Sequence, residues 1–236
     1  MISVVVPTYN EEMNIVKCLK FLNNQSIPRK NYEIIVVDGH SNDKTVQLAK
    51  KYANKVIQQK SKGVGGARND GVAVAKGDII ATTDADCIVT EDWLEKIQSK
   101  FKKHKNVACV YGPIKPIERE IKYRIYLVMN NMLSYVLYHL HLVYMTIGAN
   151  TAFRKKEFLD IGGYADYSAG DDYEMPFRLK KKGKILFDKK VFVYFSMRRY
   201  ELFGTIKSIY VWIANVMNAV FKTNKKVQLY NRVDYE

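Results

Sequence analysis

Residues 2–12 read ISVVVPTYNEE, an apolar β-branched run that stops abruptly at a polar segment. Similar runs recur along the chain, and all but the last are followed by a helical pattern: EIIVVD (33–38), KVIQ (55–58), DIIATT (78–83) and NVACVYG (106–112). We predict the helices at about 11–23, at about 42–52, after residue 63 and at about 91–104. This alternation is typical of a mostly parallel sheet with helices on both faces, so the sequence predicts an α/β fold.

Size and composition restrict the class of protein. The chain has 236 residues, which suits one domain with a substantial core. Lys and Arg number 38 against 24 Asp and Glu, and the formal charge of +14 favours an anionic partner: nucleic acid, anionic lipid or a phosphorylated small molecule. The 3 cysteines lack disulfide or zinc spacing, and the N-terminal apolar stretch lacks the features of a signal peptide. We therefore expect a cytoplasmic location.

Four segments that follow strands carry polar or glycine-rich sequences. They are Pro7-Thr8-Tyr9-Asn10-Glu11, Asp38-Gly39-His40-Ser41, Gly63-Val64-Gly65-Gly66 and Asp84-Ala85-Asp86. Any one of them could simply cap a helix or form a turn, because Asp, Asn, Ser and Gly are favoured at such positions. The carboxyl ends of parallel strands meet at one edge of a sheet, where ligands bind in α/β proteins. We therefore expect the four segments to form one site.

Asp84 and Asp86 stand two residues apart directly after the fourth predicted strand. Both carboxylates can reach one hard cation, and Mg²⁺ or Mn²⁺ typically takes one or two protein carboxylates together with phosphate oxygens and water. Asp-x-Asp alone is common by chance. The evidence for a metal site therefore comes mainly from the position of the pair at a strand end. The pair is interpreted as a site for a metal-bound diphosphate.

Residues 125–153 contain no charged side chain, which is the longest such stretch in the chain. Its polar residues make it a poor transmembrane helix. Helical spacing instead predicts an amphipathic helix. One face carries Asn130, Ser134, Tyr138 and His141, and another carries Ile125, Val128, Met132, Val136, Leu140 and Val143.

A second amphipathic stretch covers residues 201–221 and precedes several lysines. Its apolar stripe comprises Leu202, Ile206, Ile209, Ile213, Val216 and Val220. Either apolar face could belong to the core, or it could dock on an anionic membrane surface.

Six motifs together resemble the family 2 glycosyltransferases: VVVPTYNEE, VVDGHSND, GVGGARNDG, TDADC, GANTAFR and GDDYEM, in that order. The resemblance covers residues 1 to about 183 and implies a GT-A (Rossmann-like) fold. It also implies an inverting, metal-dependent enzyme that uses a nucleoside-diphosphate sugar. We expect one domain over 1–236, with a nucleotide-sugar half (1–112), an acceptor and catalytic half (113–200) and a C-terminal amphipathic helix and tail (201–236).

The resemblance implies donor-binding roles for residues at the strand ends. These residues are Pro7, Thr8, Tyr9, Glu11, Asp38, Arg68, Asp84 and Asp86, joined by Arg198 and Arg199 on a segment that can cover the diphosphate. Asp38 would accept a hydrogen bond from a ring N–H of the base, which suits a UDP- or GDP-linked donor. Arg68 would be a donor near the diphosphate or the base. Asp86 would be the direct metal ligand, and Asp84 a second metal contact or a ribose contact. Many relatives have a second acid where this chain has Gly39, so the resemblance does not imply the contact of that acid here.

On the acceptor side the resemblance implies roles for Gly148, Ala149, Asn150, Asp171 and Glu174, with Asp172 as the catalytic base. An inverting transfer needs a carboxylate that takes the acceptor's proton. We expect the adjacent acids to raise the proton affinity of Asp172 through like charge. The alternative is an acidic helix N-terminus that interacts with the helix dipole.

The glutamine-arginine-tryptophan pattern of processive relatives is missing from this sequence. We therefore expect transfer of single sugars rather than polymerisation. We expect a lipid acceptor, such as a polyprenyl phosphate or a lipid-linked saccharide, and a peripheral position on the inner face of the cell membrane. One alternative is a soluble transferase that acts on a saccharide or a protein. Another is a non-catalytic nucleotide or nucleic-acid binder. Scattered lysines argue against nucleic acid as a partner, and a binder has no use for Asp172.

Overall fold

The computed structural model describes residues 1–165 and 171–203, together with Tyr210 and Ala214. The strands are β1 (Ile2–Thr8), β2 (Tyr32–Asp38), β3 (Lys55–Gln58), β4 (Ile79–Thr82), β5 (Ile88–Val89), β6 (Val107–Tyr111), β7 (Ile114–Pro116), β8 (Thr151–Arg154), β9 (Lys184–Phe187) and β10 (Val193–Phe195). The helices are α1 (Ile15–Asn23), α2 (Thr45–Ala49), α3 (Gly63–Val74), α4 (Trp93–Lys103), α5 (Ile121–His139), α6 (Lys155–Asp160), α7 (Asp171–Leu179) and α8 (Arg198–Phe203). All five predicted strands are confirmed.

Seven strands form the main sheet in the order β3-β2-β1-β4-β8-β6-β9. Within it, β8 runs antiparallel to both of its neighbours, and the other pairs are parallel, which confirms the mostly parallel sheet. The chain moves outward from β1 through β2 to β3 and then returns to β4 on the other side of β1. This change of direction leaves a crevice beyond the carboxyl ends of β1 and β4, where ligands bind in sheets of this kind.

Two apolar clusters cover the faces of the sheet. Side chains of α1 and α4, among them Leu19 and Trp93, pack on one face, and side chains of α3 and α7, among them Val72 and Met175, pack on the other. Helix α3 approaches the sheet closely at Gly71, where a Cβ atom would lie 2.4 Å from a methyl carbon of Val5. This contact fixes the height of α3 above the sheet and therefore the position of Arg68, three residues earlier.

A second sheet of three short strands, in the order β5-β10-β7, was not predicted from the sequence. Strands of two or three residues are too short to show a periodicity. Helix α5 is attached to this sheet through Asn131, whose amide accepts from Ile114 N–H at 3.2 Å and donates to Ile114 C=O at 2.7 Å.

Helix α5 is amphipathic, as predicted, but it is oriented with its apolar face outward. Its buried residues are Tyr123, Leu127, Asn130 and Ser134. Eight apolar side chains of the helix and its C-terminal end are 36% to 69% exposed: Ile121, Ile125, Val128, Met129, Met132, Leu133, Val136 and Leu140. The alternative that this face belongs to the core is therefore wrong within the described structure. Val143, which was assigned to the same face, is buried beyond the end of the helix.

Among the described residues, no helix has both the length and the apolar character needed to cross a membrane. The predicted stripe from Leu202 to Val220 lies outside the residues whose side chains are described.

Candidate active site

The loops that follow β1 and β2 are joined by hydrogen bonds at the carboxyl edge of the sheet. Asn10 N–H donates to Ser41 Oγ at 2.9 Å, and Glu11 N–H donates to Thr45 Oγ1 at 2.7 Å. Asn10 and His40 have positive φ values of 50° and 69°, which short polar side chains tolerate better than β-branched ones. The first two predicted segments therefore form one continuous wall of the site.

Asp38 shapes this wall. Its Oδ2 accepts the N–H groups of His40 and Ser41, both at 3.1 Å, and its Oδ1 accepts the Ser41 hydroxyl at 2.6 Å. The side chain is buried. Oδ1 accepts one donor here and has a second lone pair, and the predicted contact between Asp38 and a base N–H stays a prediction.

Arg68 of α3 links two carboxylates that are far apart in the sequence. Its Nη2 lies 2.7 Å from Asp84 Oδ1, and its Nη1 lies 3.2 Å from Asp172 Oδ1. The side chain is only 2% exposed. Gly148 provides the space for it, because a Cβ atom there would lie 2.0 Å from Arg68 Cζ. The structure thus places Arg68 between the two acids, and its predicted contact with the diphosphate or the base stays a prediction.

Asp172 occupies the first turn of α7 and is held on both oxygens. Its Oδ2 accepts Gly148 N–H at 3.0 Å while its Oδ1 faces Arg68, and Thr146 donates its hydroxyl to the Asp172 carbonyl. Burial raises the pKa of Asp172, and Asp84 adds to this, whereas Arg68 and the Gly148 N–H oppose it. A raised proton affinity is what a general base requires.

The raised pKa of Asp172 was predicted, but its cause differs from the prediction. Burial is the largest contribution, and the like charge that acts on it comes from Asp84. Glu174 instead pairs with Arg178 one turn further along α7, with two N–O distances of 2.5 and 2.6 Å. The side chain of Asp171 lies outside the described residues.

A second arginine occupies the other end of the site. Nη2 of Arg198, the first residue of α8, contacts Glu11 Oε1 and lies 3.3 Å from Asp86 Oδ2. Burial and the charge of Asp86 raise the pKa of Glu11 to about 7, although Arg198 and Asn14 oppose the shift. The structure thus brings Arg198 to the predicted metal site, while the side chain of Arg199 lies outside the described residues.

The carboxylates suit a hard divalent cation, although they do not form a complete metal site. Among the described residues, no three Asp, Glu, His or Cys side chains converge as metal ligands. Asp84 and Asp86 are partly exposed, and each already faces a guanidinium cation. Oxygen ligands of this kind fit Mg²⁺ or Mn²⁺ when phosphate oxygens and water complete the coordination.

Two threonines next to the crevice between β1 and β4 carry buried hydroxyls. Thr8 ends β1, and Thr83 directly follows β4. Both are buried, and neither Oγ1 has a hydrogen-bond partner within the described part of the chain. Sequence reasoning included Thr8 but missed Thr83, whose only signal is its place between a strand and Asp84. Of the other predicted donor residues, Pro7 is buried and Tyr9 is partly exposed.

Three of the predicted acceptor-side residues, Gly148, Ala149 and Asn150, are buried. Ala149 and Asn150 are almost completely buried. Asn150 accepts from Trp93 Nε1 at 2.9 Å and donates to Val191 C=O at 2.9 Å and to Pro113 C=O at 3.0 Å. These hydrogen bonds stabilise the backbone next to Gly148. A contact of these residues with an acceptor stays a prediction.

Most of the chain matches a known protein family. Residues 3–162 match the model of Glycosyl transferase family 2. A stretch of 54 residues is 48% identical to the dolichyl N-acetyl-alpha-D-glucosaminyl phosphate 3-beta-D-2,3-diacetamido-2,3-dideoxy-beta-D-glucuronosyltransferase of Methanococcus voltae, covering 23% of this chain and 17% of the relative. Another of 125 residues is 34% identical to the chondroitin synthase of Escherichia coli, covering 51% of this chain and 18% of the relative. The chain thus spans only a small part of the length of these relatives.

Two solved structures share the fold. The mannosyltransferase PcManGT from Pyrobaculum calidifontis, in complex with GDP-Man and Mn²⁺, has a TM-score of 0.71 and 20% identity, covering 95% of this chain and 65% of that one. S. aureus TarS 1-349, in complex with UDP-GlcNAc, has a TM-score of 0.66 and 22% identity, covering 83% of this chain and 58% of that one. The likeness confirms the predicted GT-A fold. Since the family model matches well over half of the sequence, the chain belongs to glycosyl transferase family 2.

Proposed function

We propose that this protein transfers single sugars, with inversion, from a nucleoside-diphosphate sugar to a lipid-linked acceptor. The observation that carries the proposal is the bridge formed by Arg68 between Asp84 and Asp172. One guanidinium holds a carboxylate of the predicted diphosphate site and the predicted base at a fixed separation. An inverting transfer needs the diphosphate and the base held in fixed positions, because the leaving group and the attacking hydroxyl stand on opposite sides of the anomeric carbon.

The donor would occupy the crevice beyond β1 and β4. Asp84 and Asp86 lie just after β4 and are partly exposed there, which supports this placement. Asp38 would face a ring N–H of uracil or guanine. The two neighbours of known structure bind UDP-GlcNAc and GDP-Man, which supports a uridine or guanosine diphosphate sugar for this chain.

In the reaction, Asp172 would take the proton from the acceptor hydroxyl while that oxygen attacks the anomeric carbon. The bond from the anomeric carbon to the diphosphate oxygen breaks, and negative charge develops on the leaving diphosphate. Asp86, together with Asp84, would hold Mg²⁺ or Mn²⁺, which supplies positive charge to the diphosphate when it is bound. Arg68 keeps the Asp172 carboxylate aligned and remains between Asp84 and Asp172 throughout.

The outward apolar face of α5 supports a lipid-linked acceptor. Eight exposed apolar side chains lie along α5 and its C-terminal end, and exposed apolar surfaces that extend over many residues typically mark interaction sites. Lys122 and Arg124 are exposed at the N-terminal end of the same helix. An apolar face with basic residues beside it suits an anionic membrane surface. The name of the Methanococcus voltae relative describes a dolichyl phosphate-linked acceptor, which agrees with this choice.

Thermal unfolding with a panel of UDP-, GDP- and dTDP-sugars would test the donor and the metal. We expect one donor to raise the midpoint when Mn²⁺ or Mg²⁺ is present and to lose this effect in EDTA, because a ligand that binds only the folded state stabilises it. Asp86→Ala should lose the metal-dependent stabilisation, whereas the control Asp92→Ala, at an exposed surface pair, should keep it. Equal stabilisation in EDTA would contradict the metal assignment.

Sedimentation with vesicles would test the membrane surface. The protein should sediment with vesicles that contain anionic phospholipid and should be partly released at high salt, because salt screens the attraction of basic residues. Met132→Glu on the exposed face of α5 should weaken binding. Leu159→Glu, an equally drastic change at an exposed position of α6, should not. Absence of binding at low salt would favour a soluble acceptor.

A further inference from the structure

We propose that Arg198 occupies the position of the divalent cation while no donor is bound, and that it moves to the diphosphate when the donor and metal arrive. This inference rests on the metal site of the proposed function and concerns the donor-free protein. It assigns Arg198 the role of a positioning residue that competes with the metal for Asp86.

Arg198 places positive charge between two carboxylates of the predicted metal site. Its Nη2 contacts both Glu11 and Asp86, two acids that belong to different strand-end segments. One positive group between two carboxylates is the arrangement that a divalent cation would replace.

The backbone that carries Arg198 is fixed independently of its guanidinium group. Met197 N–H and the Ser196 hydroxyl donate to the Glu118 carboxylate at 3.0 Å. Further along α8, Glu201 accepts from the Tyr123 hydroxyl at 2.7 Å. The long side chain of Arg198 can therefore change its rotamer while α8 remains attached to α5.

The two arginines of the site differ in their freedom to move. Arg68 is 2% exposed, and Gly148 packs directly against its guanidinium, so it stays where it is. Arg198 is 21% exposed, and its side chain lies at the open end of the site. Arg68 is therefore the permanent counter-ion of the site, and Arg198 is the exchangeable one.

Competition has a clear thermodynamic consequence. In the donor-free protein, a metal ion must displace Arg198 before it can bind Asp86, so the affinity for free metal is reduced. When the metal arrives with a diphosphate, Arg198 gains a new anionic partner and the penalty disappears. Metal and nucleoside diphosphate should therefore bind with positive coupling.

The test measures Mn²⁺ affinity without any nucleotide, through the electron paramagnetic resonance signal of free Mn²⁺. Arg198→Gln should bind Mn²⁺ about fivefold to tenfold more tightly than the wild type, since it lacks the competing charge. Arg198→Lys should lie closer to the wild type. Arg119→Gln removes the same charge from an exposed position nearby and should leave the affinity unchanged. In the presence of Mn²⁺, Arg198→Gln should bind UDP or GDP more weakly in calorimetry.

The outcomes separate this inference from the proposed function. If Arg198→Gln binds free Mn²⁺ no more tightly than Arg119→Gln does, Arg198 does not hold the cation position, although the metal site itself still stands. Undiminished binding of the nucleotide and Mn²⁺ by Arg198→Gln would overturn the proposed move to the diphosphate. If Asp86→Asn keeps the Mn²⁺ affinity of the wild type, the metal assignment fails and this inference fails with it.

Discussion

Replacement of Arg68 by methionine is the perturbation that tests the architecture of the site most sharply. Arg68→Met keeps most of the apolar stem and removes the guanidinium that pairs with Asp84 at 2.7 Å and with Asp172 at 3.2 Å. Two carboxylates would then remain close together without their counter-ion. We expect a loss of stability together with a further rise in the pKa of Asp172, because the positive charge that opposes the shift is gone.

The magnitude follows from the geometry of the two contacts. A hydrogen bond to a charged group contributes about 1.5–3 kcal/mol, and the longer contact to Asp172 should lie at the lower end. Removal of one partner from a fully buried pair costs about 3–5 kcal/mol, but both carboxylates are about one quarter exposed and can regain some water. We therefore expect a loss of about 3 kcal/mol, equivalent to a decrease of about 6–12 °C in the melting temperature.

Urea denaturation followed by circular dichroism would measure the effect. The control is Lys182→Met, which breaks an exposed pair with Asp160 and should cost less than about 0.5 kcal/mol. The double variant Arg68→Met with Asp172→Asn should be more stable than Arg68→Met alone, because one of the unpaired charges is removed. A loss below about 1 kcal/mol for Arg68→Met would refute the conclusion that Arg68 holds the two acids together.

Two further predictions concern residues that frame the site. Gly148→Ala should destabilise the protein by about 2 kcal/mol or more in urea denaturation, because its Cβ atom would collide with Arg68 Cζ; an equal loss in an Arg68→Ala background would contradict this cause. Without divalent cations, folding stability should fall as the pH rises from 4.5 to about 7, because folded Glu11 binds its proton more tightly than the unfolded chain does. In the Glu11→Gln variant this fall should be smaller by on the order of 2 kcal/mol. If the unfolding free energy of Glu11→Gln depends on pH as that of the wild type does, the raised pKa does not belong to Glu11.

The positions of the site segments were predictable because the strands that carry them leave a strong signal. All seven residues of β1 are buried, and continuous β-branched runs of this kind are typical of central parallel strands. The turn to polar residues then marks the carboxyl end of each strand. Asp84 and Asp86 were found in this way. Helix α1, however, begins at Ile15 and not near residue 11, because Glu11 C=O accepts from the N–H groups of Asn14 and Ile15 in a preceding turn.

The contacts inside the site could not be read from local patterns. Arg68 and Asp172 are separated by 104 positions, and no periodicity links α3 to α7. Likewise, helical spacing identified two faces of α5 but could not decide which face is inside. Asn130 and Ser134 face inward, which apolarity alone would not predict. Contacts of α5 with β7 and with Glu201 of α8 fix this orientation.

The most direct test of the proposed function compares donor binding with turnover in Asp172→Asn. The asparagine keeps the shape of the side chain but cannot accept the acceptor's proton. With saturating donor and acceptor, we expect turnover to fall by ~10² or more while donor affinity changes little. Asp160→Asn, at an exposed ion pair with Lys182, is the matched control and should retain wild-type turnover. Near-normal turnover by a folded Asp172→Asn variant would contradict the assignment of Asp172 as the catalytic base.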